Sequence, residues 1–376
     1  MLFVGAVFGY AYWRYGSFTK VSINGLTARP ANGPFDILIV GSDSRAFAGN
    51  SGANAKQYGA ASAVGGQRSD VTIVARVDPA TGGIKLLSIP RDTWVKIPGS
   101  IPYVSGQNRI NAAFNNGPAL LVQTITQDFH IPISDYIGVN FEGLSNMVDA
   151  VGGVYLDFRY PVYDNYSHLG ISHTGCHLVL GAQAVALVRS RHLYYQTNGV
   201  WNYDGLSDWS RIQRQDAFFR ALLPRMKGIV TDPLAMNSFL GAAQKNITID
   251  RSLSAGAILS LAGTFRHISG ADLTTETLPT APAVISGQDV LLPAPTQDSA
   301  MIDQFLAFGT ATAASFTLPT VSPSGAVTAL LTSAAAPRSA SVTVSTLPGI
   351  PAPGANQVVS NTQSEPWNPI SCQPAG

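Results

Sequence analysis

The sequence is short of charge, of cysteine and of long apolar runs, and each shortage removes a class of explanation. Charged residues fill only 12% of 376 positions and the net charge is +1, so neither a nucleic-acid-binding face nor an acidic tail dominates the chain. An anionic ligand has to be met by local clusters. The two cysteines, Cys176 and Cys372, stand far apart, which excludes a CxxC redox centre and a cysteine-rich zinc site. They leave two readings open, one disulfide of an oxidising compartment or two free thiols. No HExxH pattern occurs; His168, His173 and His177 with Cys176 make a rival set of zinc ligands, but no carboxylate base lies between them. The apolar run Leu2–Trp13 is too short to cross a hydrocarbon core about 30 Å thick at about 1.5 Å per residue. It has no basic segment before it and ends in Trp13, Arg14 and Tyr15, an interface-like trio. The expectation is therefore a partial transmembrane anchor over residues 1–15 and a linker over 16–34.

What is present is ample apolar material, 45% of the residues, in short patterned runs. Asp36–Val40, Val71–Val77 and Ile84–Ile89 read as buried strands, as do Tyr136–Asn140 and Val154–Phe158. Pro118–Phe129 and Gly143–Val151 read as helices. The clearest helix is Asp208–Lys227, with an apolar stripe from Ile212 to Met226 and Gly228 as its stop. This alternation predicts an α/β sandwich over residues 35–310. After about Ala311 the composition turns to Ala, Ser, Thr and Pro without periodicity, and a flexible, disordered tail is expected over 311–376.

Five polar clusters stand where these elements begin or end. Gly41-Ser42-Asp43-Ser44-Arg45 follows one strand and Gln67-Arg68-Ser69-Asp70 precedes the next; Asp43 and Asp70 could there hold a hard divalent cation, which asks for only one or two carboxylates. As isolated residues they read equally well as turn caps. Ser88-Ile89-Pro90-Arg91-Asp92-Thr93 ends a third strand, with Pro90 fixing the backbone that aims Arg91. In Arg189-Ser190-Arg191, alternation on an extended chain would send both guanidiniums to one side. Asp208, Arg211 and Gln215 share one face of the long helix, spaced i, i+3 and i+7. Surface ion pairing explains so many arginines poorly, because exposed pairs contribute below about 1 kcal/mol. The excess of Arg over Lys carries less weight, since a GC-rich genome produces it too.

Taken in order, GSDSR, RSD before a strand, SIPRD, RSR and DWSRIQRQ resemble the functional motifs of the LytR-CpsA-Psr family over about residues 35–230, with a weaker likeness through SLSAGAILSLAG and SGQDVLLP. The resemblance implies a central mixed β-sheet flanked by helices. It implies Mg²⁺, or Mn²⁺ in its place, on Asp43 and Asp70, and a pyrophosphate surrounded by Arg68, Arg91, Arg189, Arg191, Arg211 and Gln215. Asp208 matches a polar residue beside that headgroup, so Arg68, Arg91 and Asp208 are the expected catalytic residues. Three positions depart from the family pattern, Gln67, Ser210 and Asp216, and none removes an expected headgroup charge.

The activity so implied is transfer of a polyprenyl-pyrophosphate-linked glycopolymer, of teichoic acid, capsule or arabinogalactan type, onto peptidoglycan. The enzyme would sit on the cell membrane by a single-pass anchor with its catalytic domain outside. Two alternatives are a pyrophosphatase acting on polyprenyl pyrophosphate and a non-catalytic wall-binding module. The module leaves the carboxylates among the arginines unexplained, since they weaken anion binding unless a cation intervenes. Tyr194, Tyr195, Trp201 and Tyr203, in the loop His192–Ser207, are candidates for stacking on sugar rings. In an extracytoplasmic protein, Cys176 and Cys372 are expected to form a disulfide that ties the tail back onto the domain.

Overall fold

The computed structural model describes residues 15–42, 69–99, 106–206, 208–231, 233–265, 273–310 and 364–373. Its strands begin with β1 (Thr19–Val21), β2 (Phe35–Ser42), β3 (Ser69–Val77), β4 (Ile84–Ser88), β5 (Trp94–Lys96), β6 (Gln107–Arg109) and β7 (Ile133–Asn140). There follow β8 (Val154–Phe158), β9 (Val162–Asp164), β10 (Leu169–Ile171), β11 (Gly175–Val179), β12 (Tyr194–Thr197) and β13 (Val200–Tyr203). The last are β14 (Ile247–Asp250), β15 (Leu273–Thr277), the hairpin β16 (Thr280–Ile285) and β17 (Gln288–Pro293), and β18 (Ile370–Ser371). The helices are α1 (Pro118–Phe129), α2 (Phe141–Ala150), α3 (Gly181–Arg189), α4 (Asp208–Thr231), α5 (Pro233–Asn246), α6 (Ala255–Phe265) and α7 (Pro295–Ala307).

The main sheet has seven strands in the order β1-β14-β7-β2-β3-β4-β15. It is mixed: β2 runs parallel to β7 and antiparallel to β3. Its central strands are nearly continuous apolar runs because both faces are covered. Leu38, Val40, Val74 and Leu87 pack with α1 and α7 through Leu121, Ile125, Ile302 and Phe305. On the other face Ile37, Ile73, Ala75 and Leu86 meet Leu253 and Leu261, with Phe219 and Leu223 of α4 against them. The result is the expected α/β/α sandwich. A third cluster joins β8–β11 to α3 and α4 through Phe158, Leu187 and Phe218.

Several boundaries differ from the sequence reading. Residues 16–34 are not a free linker, since β1 pairs in parallel with β14 and Arg29 forms an ion pair with buried Asp135. Helix α4 runs past Gly228 to Thr231, because Ile229 is buried and draws one more turn into the fold. Residues 1–14 and 311–363, with the anchor and most of the tail, lie outside the described residues. Among the described helices none is long and apolar enough to cross a membrane.

The end of the tail is also corrected, for residues 364–373 dock on the domain. β18 pairs with β8, and Cys372 is bonded to Cys176 of β11 across a Cα–Cα distance of 6.0 Å. Cys176 is therefore no thiolate ligand, and the zinc reading loses its sulfur. The bond spans 196 residues. Chain entropy sets a limit of about 5 kcal/mol for so long a loop, and native disulfides typically contribute roughly 2–4 kcal/mol. Reduction is expected to lower unfolding stability by that amount, measured by urea denaturation with and without reductant. Quantitative thiol labelling without reductant would contradict the bond.

Candidate active site

The site forms where β3 begins and β4 ends. Gly41 pairs with Val71 and Ser42 with Ser69, so Asp70 is the extra residue of a β-bulge. A bulge re-aims its side chain, and bulges recur beside active sites. After β4 the chain turns, with the Thr93 amide and hydroxyl both donating to the Pro90 carbonyl at 3.0 and 2.6 Å. That turn directs Arg91 back to Asp70, Nη1 to Oδ1 at 2.5 Å.

Asp92 is the node of the cluster. Its carboxylate lies 3.4 Å from Arg91 Nε, 3.4 Å from Arg109 Nη1 and 3.5 Å from Arg191 Nη2. Asp208, in the first turn of α4, continues the network to Arg191 Nε at 2.7 Å and Arg211 Nη2 at 3.0 Å. Four arginines thus alternate with three carboxylates, a local charge of +1. Burial opposes the charge on Arg91, but Asp70, Asp92 and Asp208 outweigh it and raise its pKa. Burial lowers that of Arg211, Asp208 opposing and Arg191 and Arg91 adding to the effect, so this side of the cluster favours an incoming anion.

Among the described residues, Nε of Arg109, Arg191 and Arg211 is buried without a hydrogen-bond partner. The short Arg191–Asp208 contact is an ion pair whose N–H is not aligned on the oxygen. Buried donors left unmatched call for an explanation, and a phosphate oxygen would supply their acceptor.

Arg191 is placed by Asp164. One carboxylate oxygen accepts from Ser190 Oγ at 2.7 Å, His192 N at 2.9 Å and Arg191 N at 3.0 Å. The other accepts from the amides of Tyr166 and Ser167. Burial alone would raise the Asp164 pKa, but these bonds, led by that from His192, hold it below the usual carboxylate range. Behind this loop lies Arg214, fully buried, with Nη1 on Asp204 at 3.0 Å and on Asn368 at 2.7 Å and Nη2 on the Ser190 carbonyl at 2.8 Å.

Arg91, Arg191, Arg211, Asp70 and Asp208 converge as the sequence suggests. Asp43 and Arg68 lie outside the described residues. The extended backbone expected through Arg189 is corrected, and Gln215 has a helix partner. Arg189 is the last residue of α3, not part of an extended run, and its guanidinium lies 4.8 Å from the Phe141 ring, beside the ends of β2 and β7. Gln215, one turn deeper in α4 than Arg211, gives its amide to the Val188 carbonyl at 2.9 Å and so braces α3. Asp92, Arg109, Asp164, Asp204, Arg214 and Asn368 were missing from the expected set. Two of them carried a signal, Asp92 as the last letter of SIPRD and Arg214 as the second arginine of DWSRIQRQ.

Beside the charges the sheet is incompletely covered. Ile39, Val71, Ile137 and Val139 are only half-buried, although β2, β3 and β7 are inner strands. Gly41 lies between Val71 and Val139, where a Cβ would stand 3.0 Å from that of Val71. Ile39, Val71 and Ile137 pack, partly buried, on the α4 face of the sheet against the same cluster as Phe219 and Leu223.

Farther along α4, burial pushes Asp216 up to about 7, against the Arg220 charge and a hydrogen bond with Thr275. The unfolded carboxyl titrates near 3.8, so the proton-linked stabilisation is full below that pH and is lost as pH rises through about 7. Asp216→Asn, which does not titrate, is expected to be more stable than wild type by roughly 1–3 kcal/mol at pH 8, with the gap closing towards pH 5. Denaturant titrations at both pH values check this; a gap independent of pH would contradict it.

A family model described as the LytR_cpsA_psr family matches residues 14–305. The chain is 33% identical over 278 residues to a probable cell wall biosynthesis protein LcpB of Corynebacterium glutamicum, covering 73% of this chain and 61% of that one. It is 28% identical over 232 residues to the polyisoprenyl-teichoic acid–peptidoglycan teichoic acid transferase TagV of Bacillus subtilis, covering 60% and 52%. The chain thus spans between half and two thirds of the length of these relatives. A solved LytR-Csp2A-Psr enzyme from Actinomyces oris superposes with a TM-score of 0.59 at 22% identity over 77% of this chain and 95% of that one, which shows a shared fold.

Proposed function

Because the chain belongs to the LytR-CpsA-Psr family, we propose that it transfers a glycopolymer from a polyprenyl pyrophosphate carrier to peptidoglycan. The observation that carries this reading is the interleaved Arg–Asp cluster standing beside half-buried apolar side chains of β2, β3 and β7. A lipid pyrophosphate is both things at once, a dianionic headgroup and a hydrocarbon chain. The related transferase TagV is named for a polyisoprenyl-linked donor and a peptidoglycan acceptor.

In the proposed reaction Arg91, Arg191 and Arg211 bind the pyrophosphate while the half-buried apolar side chains of β2, β3 and β7 meet the prenyl chain. A hydroxyl of the acceptor attacks the phosphorus nearer the sugar, the bridging P–O bond breaks, and polyprenyl phosphate leaves. Positioning and charge stabilisation carry most of a phosphoryl transfer, so no nucleophilic Ser or Cys is needed. Asp208 keeps Arg191 and Arg211 aimed.

The residues fit a magnesium ion: Asp70 sits on its bulge at the cluster's edge, Asp43 directly follows Ser42, and Mg²⁺ needs only one or two carboxylates besides substrate phosphate and water. When bound, the ion would neutralise phosphate charge; Mn²⁺ would serve the same ligands. The disulfide supports an extracytoplasmic domain, and Leu2–Trp13 would supply part of its membrane anchor.

The test is a thermal shift with polyprenyl pyrophosphate in the presence of Mg²⁺. At about 100 times Kd a ligand of the native state adds about 2.7 kcal/mol, a rise of several degrees. Polyprenol without phosphate is expected to give a smaller rise. No shift at saturation would overturn the reading.

A further inference from the structure

The sheet that fixes Arg191 has a second face. β9, β10, β12 and β13 join in the order β10-β9-β12-β13, and strand alternation divides their side chains. Val162, Leu169, Ile171 and Tyr195 face the apolar cluster of Val188 and Phe218, where Tyr195 stacks on Trp367 at 4.6 Å. Tyr163, Tyr194, Trp201 and Tyr203 take the alternate positions, with Tyr194 in register with both Tyr163 and Tyr203. Their rings touch. Tyr163 lies flat against Tyr194 at 5.0 Å, Tyr194 tilts on Tyr203 at 5.2 Å, and Trp201 meets Tyr163 edge-on at 4.6 Å. Trp201 and Tyr203 remain 42% and 48% exposed, an unusual position for large rings that the core does not use.

Rings braced against one another lose little freedom when a flat ligand settles on them. The chemistry of the surroundings narrows that ligand. From Tyr194 to Tyr203 there is no Lys or Arg, and the polar groups are the neutral Gln196, Thr197, Asn198 and Asn202; Asp204 and Asp208 follow. A polyanionic chain finds no counter-charge on this segment. A neutral saccharide strand finds flat apolar rings for the C–H faces of its pyranoses and amides for their hydroxyls. The face is also continuous with the charged cluster. Asp164 at the end of β9 accepts from the Arg191 amide at 3.0 Å, and Tyr203 immediately precedes Asp204, the partner of Arg214.

We propose that the Tyr163–Tyr194–Trp201–Tyr203 face binds the neutral glycan strand of the wall acceptor and presents its hydroxyl to the Arg191–Asp208 side of the cluster. This rests on the transferase reading above. It assigns to one exposed sheet the task of holding the second substrate, while the arginines and the apolar side chains beside them hold the first.

The experiment titrates the full chain with soluble β-1,4-linked N-acetylglucosamine oligomer strands, a neutral stand-in for the acceptor backbone that lacks the lactyl carboxylates of peptide-free muramic acid, and separately with polyprenyl pyrophosphate in micelles. Trp201→Ala and Tyr203→Ala are each expected to weaken glycan binding about tenfold or more. Trp201→Phe should retain most of it. Val284→Ala, which trims an exposed apolar residue on β16, should change nothing. Affinity for polyprenyl pyrophosphate should be the same in all four variants. Unchanged glycan affinity in both alanine variants overturns the proposal and leaves the transferase reading standing. So does a wild-type chain that binds polyprenyl pyrophosphate but not the strands. If a teichoic acid polymer, rather than the glycan, loses affinity in Trp201→Ala, the face belongs to the donor and the acceptor assignment falls. Aromatic-dependent glycan binding without any binding of polyprenyl pyrophosphate would overturn the transferase reading instead.

Discussion

Arg91→Ala is expected to lower transfer by about two to three orders of magnitude while the fold persists. Arg91 bridges Asp70 and Asp92, and its side chain is 17% exposed, so it faces the cleft and is not sealed in the core. Losing one preorganised donor to a developing phosphate charge costs roughly 2–4 kcal/mol of transition-state stabilisation. Asp70→Ala should fall comparably, because it removes both the partner that aims Arg91 and a proposed cation ligand. Arg91→Lys keeps the charge but cannot span two carboxylates with one planar fork, so partial activity is expected. Arg225→Ala is the control. Its guanidinium donates to the Gly152 and Gly153 carbonyls, 14 residues along α4 from Arg211, which is about 21 Å of helix. Transfer is measured with a purified lipid-linked donor and peptidoglycan, with circular dichroism on each variant. Near-normal rates in well-folded Arg91→Ala would remove this cluster from the mechanism.

Arg214→Ala is expected to destabilise the protein by about 3–5 kcal/mol, the cost of leaving a buried charge without its partner. Arg214 and Asp204 are both fully buried as side chains, 3.0 Å apart. Burial lowers the Arg214 pKa, with Asp204 the main opposing influence, so the two charges depend on each other. Removing the arginine also strips the Ser190 carbonyl and Asn368 of a donor. The double change Arg214→Met with Asp204→Leu should recover a large part of the loss, since no lone charge then remains. Urea denaturation of the three proteins decides it; a loss below 1 kcal/mol for Arg214→Ala would show that water or a rearranged side chain serves Asp204 instead.

The layered fold is legible in the sequence because its signals are local. The apolar run of β2 and the stripe of α4 state their own burial. Arg91, Arg191, Asp208 and Arg211 are legible for a related reason: charges at strand ends and at a helix start are poorly explained by surface pairing. What escapes is contact between distant positions. Arg109 is a lone basic residue until β5 and β6 bring it to Asp92. The helical backbone of Arg189 escapes a strand rule applied to the last residue of a helix, and the bond from the Gln215 amide to the Val188 carbonyl joins two helices distant in sequence. Nothing local marks Asn368 as a partner of Arg214.

That last partnership has a consequence for the order of synthesis. The bond from Arg214 to Asn368 joins residues 154 positions apart. At about 5–20 residues per second, Asn368 leaves the ribosome on the order of 8–30 s after Arg214. During that interval the carboxylate of Asp204 and the guanidinium of Arg214 wait with one acceptor missing, and β8 waits with one edge unpaired. The region around Arg191 can therefore reach its final rigidity only after the sheet, α3 and α4 have been made, and a chain interrupted before residue 368 would keep its layers while the loop that carries Arg191 lacks its brace.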